Sequence, residues 1–125
     1  MKPKQTNILL VEDDANLSIV LADYLRSKDY VVENATNGKE AWDLLLVKRY
    51  DLVISDIMMP KMNGFELLKL IRSQYLDLPV VMLTAKIDRD DVLRAYELGC
   101  DDYVTKPFSM DILICKITKF MILCI

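Results

Sequence analysis

Three short runs, Ile8–Val11, Leu52–Ile54 and Val80–Leu83, are apolar at every position and rich in β-branched residues. A strand with one wet face alternates apolar and polar residues. A strand without that alternation is covered on both faces, which points to a parallel central sheet sandwiched between helices. Two weaker runs, Tyr30–Val32 and Tyr103–Val104, complete five candidate strands. The chain has 125 residues, enough for one domain and one sizeable core.

Stretches with helical period separate the strands. Leu17, Val20, Leu21, Tyr24 and Leu25 make one stripe; Ala41, Leu44 and Leu45 a second; Gly64, Leu67, Leu68 and Ile71 a third. Val92, Ala95, Tyr96 and Gly99 make a fourth, with Gly99 placed to end the helix. The fifth, Leu113, Ile114, Ile117, Phe120 and Met121, follows Ser109 at the N-cap position. The expectation is an α/β domain of five βα units with right-handed crossovers. It covers residues 1–125 as a single domain with a core over about 6–121.

Composition excludes several functions. The formal net charge is −3, so the chain lacks the basic field that drives nucleic-acid binding. No apolar run reaches the roughly 20 residues of a membrane helix, and the amino end, Met1-Lys2-Pro3-Lys4-Gln5-Thr6-Asn7, does not read as a signal peptide. Cys100, Cys115 and Cys124 form no Cys-x-x-Cys pair, which suits a reducing, cytoplasmic setting. The absence of histidine excludes Ser-His-Asp and Cys-His nucleophile systems and imidazole metal sites.

In an open parallel sheet, ligands bind outside the carboxyl ends of the strands. Those positions hold Glu12, Asp13 and Asp14 after the first strand, Asp56 after the third, Thr84 after the fourth and Lys106 after the fifth. If the strand order is 2-1-3-4-5, Glu12, Asp13 and Asp56 crowd one pocket. Hard oxygen ligands in small number suit Mg²⁺. An aspartate beside Mg²⁺ and a lysine can attack phosphorus and form an aspartyl phosphate. Asp14 reads as a helix cap or as a group behind the site.

Four segments carry a family resemblance: Val11-Glu12-Asp13-Asp14, Ser55 to Gly64, Leu83-Thr84-Ala85, and Asp101 to Phe108. In this order and spacing they resemble the receiver domain of two-component response regulators, most closely receivers of the winged-helix DNA-binding subfamily. The resemblance implies a flavodoxin-like sheet in the order 2-1-3-4-5. It implies phosphorylation of Asp56 by a sensor histidine kinase. Asp13 would bind Mg²⁺ directly, Glu12 through water, and the Met58 backbone carbonyl would add a ligand. Thr84 would follow the phosphoryl group, Tyr103 would swing between exposed and buried positions, and Lys106 would contact a phosphoryl oxygen across a cis Lys106–Pro107 bond. The output would be transcriptional, through an effector domain not present in this sequence, with a single-domain regulator as the alternative.

Such receivers pair through the fourth helix, fifth strand and fifth helix, and Arg94, Asp101 and Lys116 hold charged positions of that face. Ile112 stands where an acidic partner for Arg94 is usual, and it also breaks the Ser-x-x-Glu capping box begun by Ser109. A weakened homodimer is therefore expected. The fifth helix is apolar on more than one face, from Ile112 to Ile125, and reads either as a fraying end or as a docking surface.

Three rivals fit less well. An aspartate-based phosphohydrolase needs a second acid two residues after the nucleophile, where Met58 stands. A flavin phosphate would be repelled by the acids after the first strand. A pseudo-receiver would have no use for the complete Asp56, Thr84 and Lys106 set.

Overall fold

The five apolar runs become β1 (Asn7–Val11), β2 (Val31–Ala35), β3 (Leu52–Ser55), β4 (Val80–Thr84) and β5 (Asp102–Thr105). They alternate with α1 (Ala15–Ser27), α2 (Gly38–Val47), α3 (Gly64–Gln74), α4 (Arg89–Glu97) and α5 (Met110–Leu123). A computed structural model describes residues 5–85 and 89–123, with side chains as far as Phe120. All pairings are parallel and the sheet order is β2-β1-β3-β4-β5, as expected.

Strand alternation divides the core in two. Leu9, Val11, Val53, Val80 and Met82 face α2, α3 and α4, where Ala41, Leu45, Phe65, Leu68 and Ile71 cover them. Ile8, Leu10, Leu52, Ile54 and Val81 face α1 and α5, where Leu21, Leu25, Leu113 and Ile117 cover them. Each buried Val, Leu, Ile, Phe or Met among them contributes roughly 1.5–3 kcal/mol. Both faces are therefore dry, which is why β1, β3 and β4 tolerate no polar alternation.

Several helix faces differ from their expected stripes. On α1, Val20 is exposed and the buried line runs Ser18, Leu21, Ala22, Leu25. The cause is polar: Asn34 Nδ2 donates to Ser18 Oγ, drawing that side of the helix against β2. On α4, Tyr96 is exposed and Ala95 alone is fully buried, the helix packing beside the edge strand β5. Tyr30 precedes β2 rather than opening it, its N–H bound to Leu25 O at 3.3 Å. Gly99 ends α4 as expected, at φ +101°. Gly99 N–H donates to Tyr96 O and Cys100 N–H to Ala95 O, both at 3.0 Å, closing a Schellman turn. Ser109 occupies the N-cap position of α5, its carbonyl accepting from Leu113 N–H at 3.1 Å. The side chains of Met121 to Ile125, like residues Met1 to Lys4, lie outside the described residues. Among the described residues no helix is long and apolar enough to cross a membrane.

Candidate functional site

The carboxyl rim of the sheet gathers the expected side chains. The ladder continues one residue past β1 and β3: Glu12 N–H donates to Ala35 O and Asp56 N–H donates to Val11 O, both at 3.0 Å. These bonds fix the backbone from which both acids project. Lys106 arrives from β5, its N–H donating to Thr84 O at 2.9 Å, and its bond to Pro107 is cis.

Lys106 closes the pocket. Its Nζ donates to Glu12 Oε1 at 2.8 Å and to Asp56 Oδ2 at 3.0 Å, crossing from β5 to the ends of β1 and β3. Glu12 is only 3% exposed and Asp56 8%. Asp56 Oδ1 accepts the Ile57 N–H at 2.7 Å, so both of its oxygens are engaged. Asp13 points into solvent beside them. Asp14 turns away: its Oδ1 accepts from Asn16 and Leu17 N–H at 3.0 and 3.2 Å, so of its two readings the cap is the one observed.

Burial pushes the Glu12 carboxyl up to about 7, against the Lys106 hydrogen bond that lowers it and with help from neighbouring Asp56. Burial alone would lower Lys106, but its hydrogen bonds to Glu12 and Asp56 win and hold the ammonium above its ordinary range. Carboxylate oxygens of Glu12, Asp13 and Asp56 lie within 4.8 Å of one another. With all three ionised and one lysine opposite, two negative charges are in excess. That deficit, and an all-oxygen donor set open to solvent at Asp13, fits a hard divalent cation such as Mg²⁺.

Thr84 is fully buried at the end of β4. Tyr103 is buried against the core face shared with α3 and α4, the inner of the two positions its expected swing would use. The remaining expected residues lie apart from the pocket. Arg94 stacks its guanidinium 4.6 Å from the Phe65 ring centroid. Asp101 accepts from Arg72 Nη2 at 2.7 Å, and Lys116 Nζ donates to Asp102 Oδ1 at 3.1 Å. All three charges of the expected dimer face thus have partners within the chain, while Ile112 is 56% exposed.

Gly64 permits a close backbone approach to Asp56. Gly64 N–H donates to Ile57 O at 2.8 Å, and a Cβ on Gly64 would lie 2.2 Å from the Asp56 carbonyl oxygen. Any larger residue would push the Asp56 backbone out of place. Asp102, within the Asp101 to Phe108 segment, is buried in β5 as the partner of Lys116. Only its run with Asp101 at a strand start hinted at a special role.

An acid cluster bridged by a lysine at the strand ends of this sheet fits a regulatory phosphoacceptor domain rather than a metabolic enzyme, and the family match shows that class. Residues 8–118 match the family described as the response regulator receiver domain, and the chain belongs to that family. It is 41% identical over 118 residues to the transcriptional regulatory protein RprY of Bacteroides fragilis, covering 94% of this chain and 50% of the relative. It is 44% identical over 114 residues to the regulatory protein VanRB of Enterococcus faecalis, covering 91% and 51%. The chain therefore spans about half the length of these curated relatives. Among solved structures, a two-component response regulator from Clostridium difficile superposes with a TM-score of 0.90 at 30% identity, covering 94% of this chain and 96% of that one. The receiver domain of the Francisella response regulator 1452 gives 0.88 at 32%, covering 93% and 96%.

Proposed function

We propose that Asp56 is the phosphoacceptor and that a sensor histidine kinase is its donor. The P–N bond of a phosphohistidine breaks as a bond forms from an Asp56 carboxylate oxygen to phosphorus, and the imidazole leaves. Asp13 and Asp56 would hold Mg²⁺ directly, Glu12 through water, and Met58 through its backbone carbonyl. When bound, the ion supplies positive charge to the transferring phosphoryl oxygens. Lys106 moves its hydrogen bond from the acids to a phosphoryl oxygen. Thr84 supplies a hydroxyl to the same group, and Tyr103 holds the inner position that this movement favours, so phosphorylation shifts a population between two states of one face.

The observation that carries this reading is the Lys106 bridge between Glu12 and Asp56 at the carboxyl rim. In this reading residues 1–125 form one cytoplasmic receiver domain whose output is transcriptional, through a separate effector; the name of one relative, a transcriptional regulatory protein, supports the transcriptional output. Homodimers would form through α4, β5 and α5, weakly, since Arg94, Asp101 and Lys116 are engaged within the chain and Ile112 offers no charge.

The test is incubation with Mg²⁺ and a small acyl phosphate. The expected result is a mass gain of one phosphoryl group per chain that Asp56→Asn abolishes. Label retained in Asp56→Asn would refute the assignment.

A further inference from the structure

Gly38 opens α2, and its backbone is ordinary: Gly99 is the glycine with positive φ. What Gly38 lacks is room. A Cβ there would lie 2.4 Å from the Met62 carbonyl oxygen and 2.8 and 2.9 Å from Met62 Cβ and Cγ. The Gly38 N–H donates to that same carbonyl at 3.1 Å. A glycine here serves close approach and nothing else.

Met62 belongs to the loop that leads from Asp56 to α3. That loop contains a tight turn, in which Met62 N–H donates back to Pro60 O at 2.8 Å around Lys61. Lys61 has φ +68°, outside the comfortable range of a side-chain-bearing residue. Such a turn is strained and persists where its surroundings hold it. Gly64 closes the loop at its far end, against Asp56 itself. The amino end of α2 meets the loop at Met62, two residues before α3 begins.

We infer that Gly38 is a positioning residue: through its contact with Met62, the start of α2 holds the β3–α3 loop in the shape that presents Asp56 and the Met58 carbonyl to a divalent ion. This rests on the phosphoacceptor reading above. Real Cβ contacts stay beyond 3.0 Å, so an alanine at 38 would drive the Met62 carbonyl back by more than about 0.6 Å. Misplacement of about an ångström at a reacting centre costs up to roughly hundredfold in rate.

The test uses Gly38→Ala beside Ile117→Val, a core change under α5 far from the loop. Gly38→Ala is expected to slow acyl-phosphate labelling roughly tenfold or more and to raise the Mg²⁺ concentration for half-saturation several-fold. Ile117→Val is expected to lower thermal stability and leave both unchanged. Wild-type labelling and wild-type Mg²⁺ affinity in Gly38→Ala would overturn the inference, as would the same losses in Ile117→Val. If Gly38→Ala does not fold, the wild-type chain decides by NMR, since its three glycines give separable amide signals. On Mg²⁺ titration the Gly38 and Gly64 signals should move with one midpoint while Gly99, at the opposite rim, stays. Gly64 moving without Gly38 would overturn the inference. A wild-type chain that shows neither movement nor labelling would instead defeat the phosphoacceptor reading beneath it.

Discussion

Two half-buried cations hold opposite rims of the same sheet, and they are built differently. Lys106, 21% exposed at the carboxyl rim, bridges two acids with a single ammonium. Arg72, 16% exposed at the amino rim, spreads its fork over Gly99 O at 2.7 Å, Tyr75 O at 3.0 Å, Leu78 O at 2.6 Å and Asp101 Oδ2 at 2.7 Å. Three of these acceptors are neutral carbonyls. The fourth, Asp101 Oδ2, also accepts Val80 N–H at 2.8 Å. Planar geometry matches the guanidinium to this site and leaves no charge in excess. The lysine site has the opposite character: too many carboxylates, one mobile point charge, and a deficit that a metal or phosphoryl group can change. The amino rim holds the fold; the carboxyl rim is poised to exchange partners.

Four measurements separate the two rims, the largest effect first. Arg72→Met should lower unfolding stability by about 3 kcal/mol, because it leaves three part-buried backbone carbonyls and the partly exposed Asp101 carboxylate without their donor. Urea denaturation checks this, and the labelling rate per folded molecule should not change. In millimolar Mg²⁺, where the ion can neutralise Glu12 and Asp56 in the lysine's place, Lys106→Met should do the reverse: labelling by acyl phosphate roughly hundredfold slower, about 2.7 kcal/mol in barrier, with a much smaller loss of stability than Arg72→Met. Similar stability losses in the two variants would erase the distinction drawn here.

The third test is pH. Glu12 binds a proton more tightly folded, at about 7, than at its ordinary value of 4.5. A raised carboxyl contributes stability that is full below 4.5 and is lost as pH rises through 7. Without divalent ions, the wild type should therefore lose on the order of 2 kcal/mol across that window relative to Glu12→Gln. Millimolar Mg²⁺ should shrink the difference, measured by denaturation at several pH values. An unchanged slope in Glu12→Gln would show that the pocket carries no such strain. The smallest effect belongs to Gly99→Ala at the Arg72 rim. Its φ of +101° disfavours a side chain, and the new Cβ would meet Arg72 Cγ at 3.1 Å. About 1 kcal/mol of stability should go, with labelling untouched.

Both rims were unequally legible. The acids, Thr84 and Lys106 stand directly after apolar runs, so their placement at one rim follows once the runs are strands of a parallel sheet. Arg72 carries no such signal. Three of its acceptors are backbone carbonyls, which every residue has, and their convergence depends on where α3, α4 and the loop before β4 meet. The same holds for Ser18 and Asn34. A polar residue in a helix reads as exposed until its partner on β2 is known, and so the expected stripe on α1 holds at Leu21 and Leu25 but includes Val20 in place of Ser18 and Ala22. Asp102 illustrates the point from within a strand, since its burial rests on Lys116 from α5.

Sequence alone determined the sheet, its two dry faces and the residues presented at its carboxyl ends, because hydrophobic periodicity reports which faces are buried and strand ends follow from where the runs stop. The tertiary structure decided how close the backbones come. That Lys106 reaches both Glu12 and Asp56, that Gly38 meets Met62, and that Arg72 finds four acceptors are distances between segments remote in the chain. No local pattern encodes such distances; packing sets them.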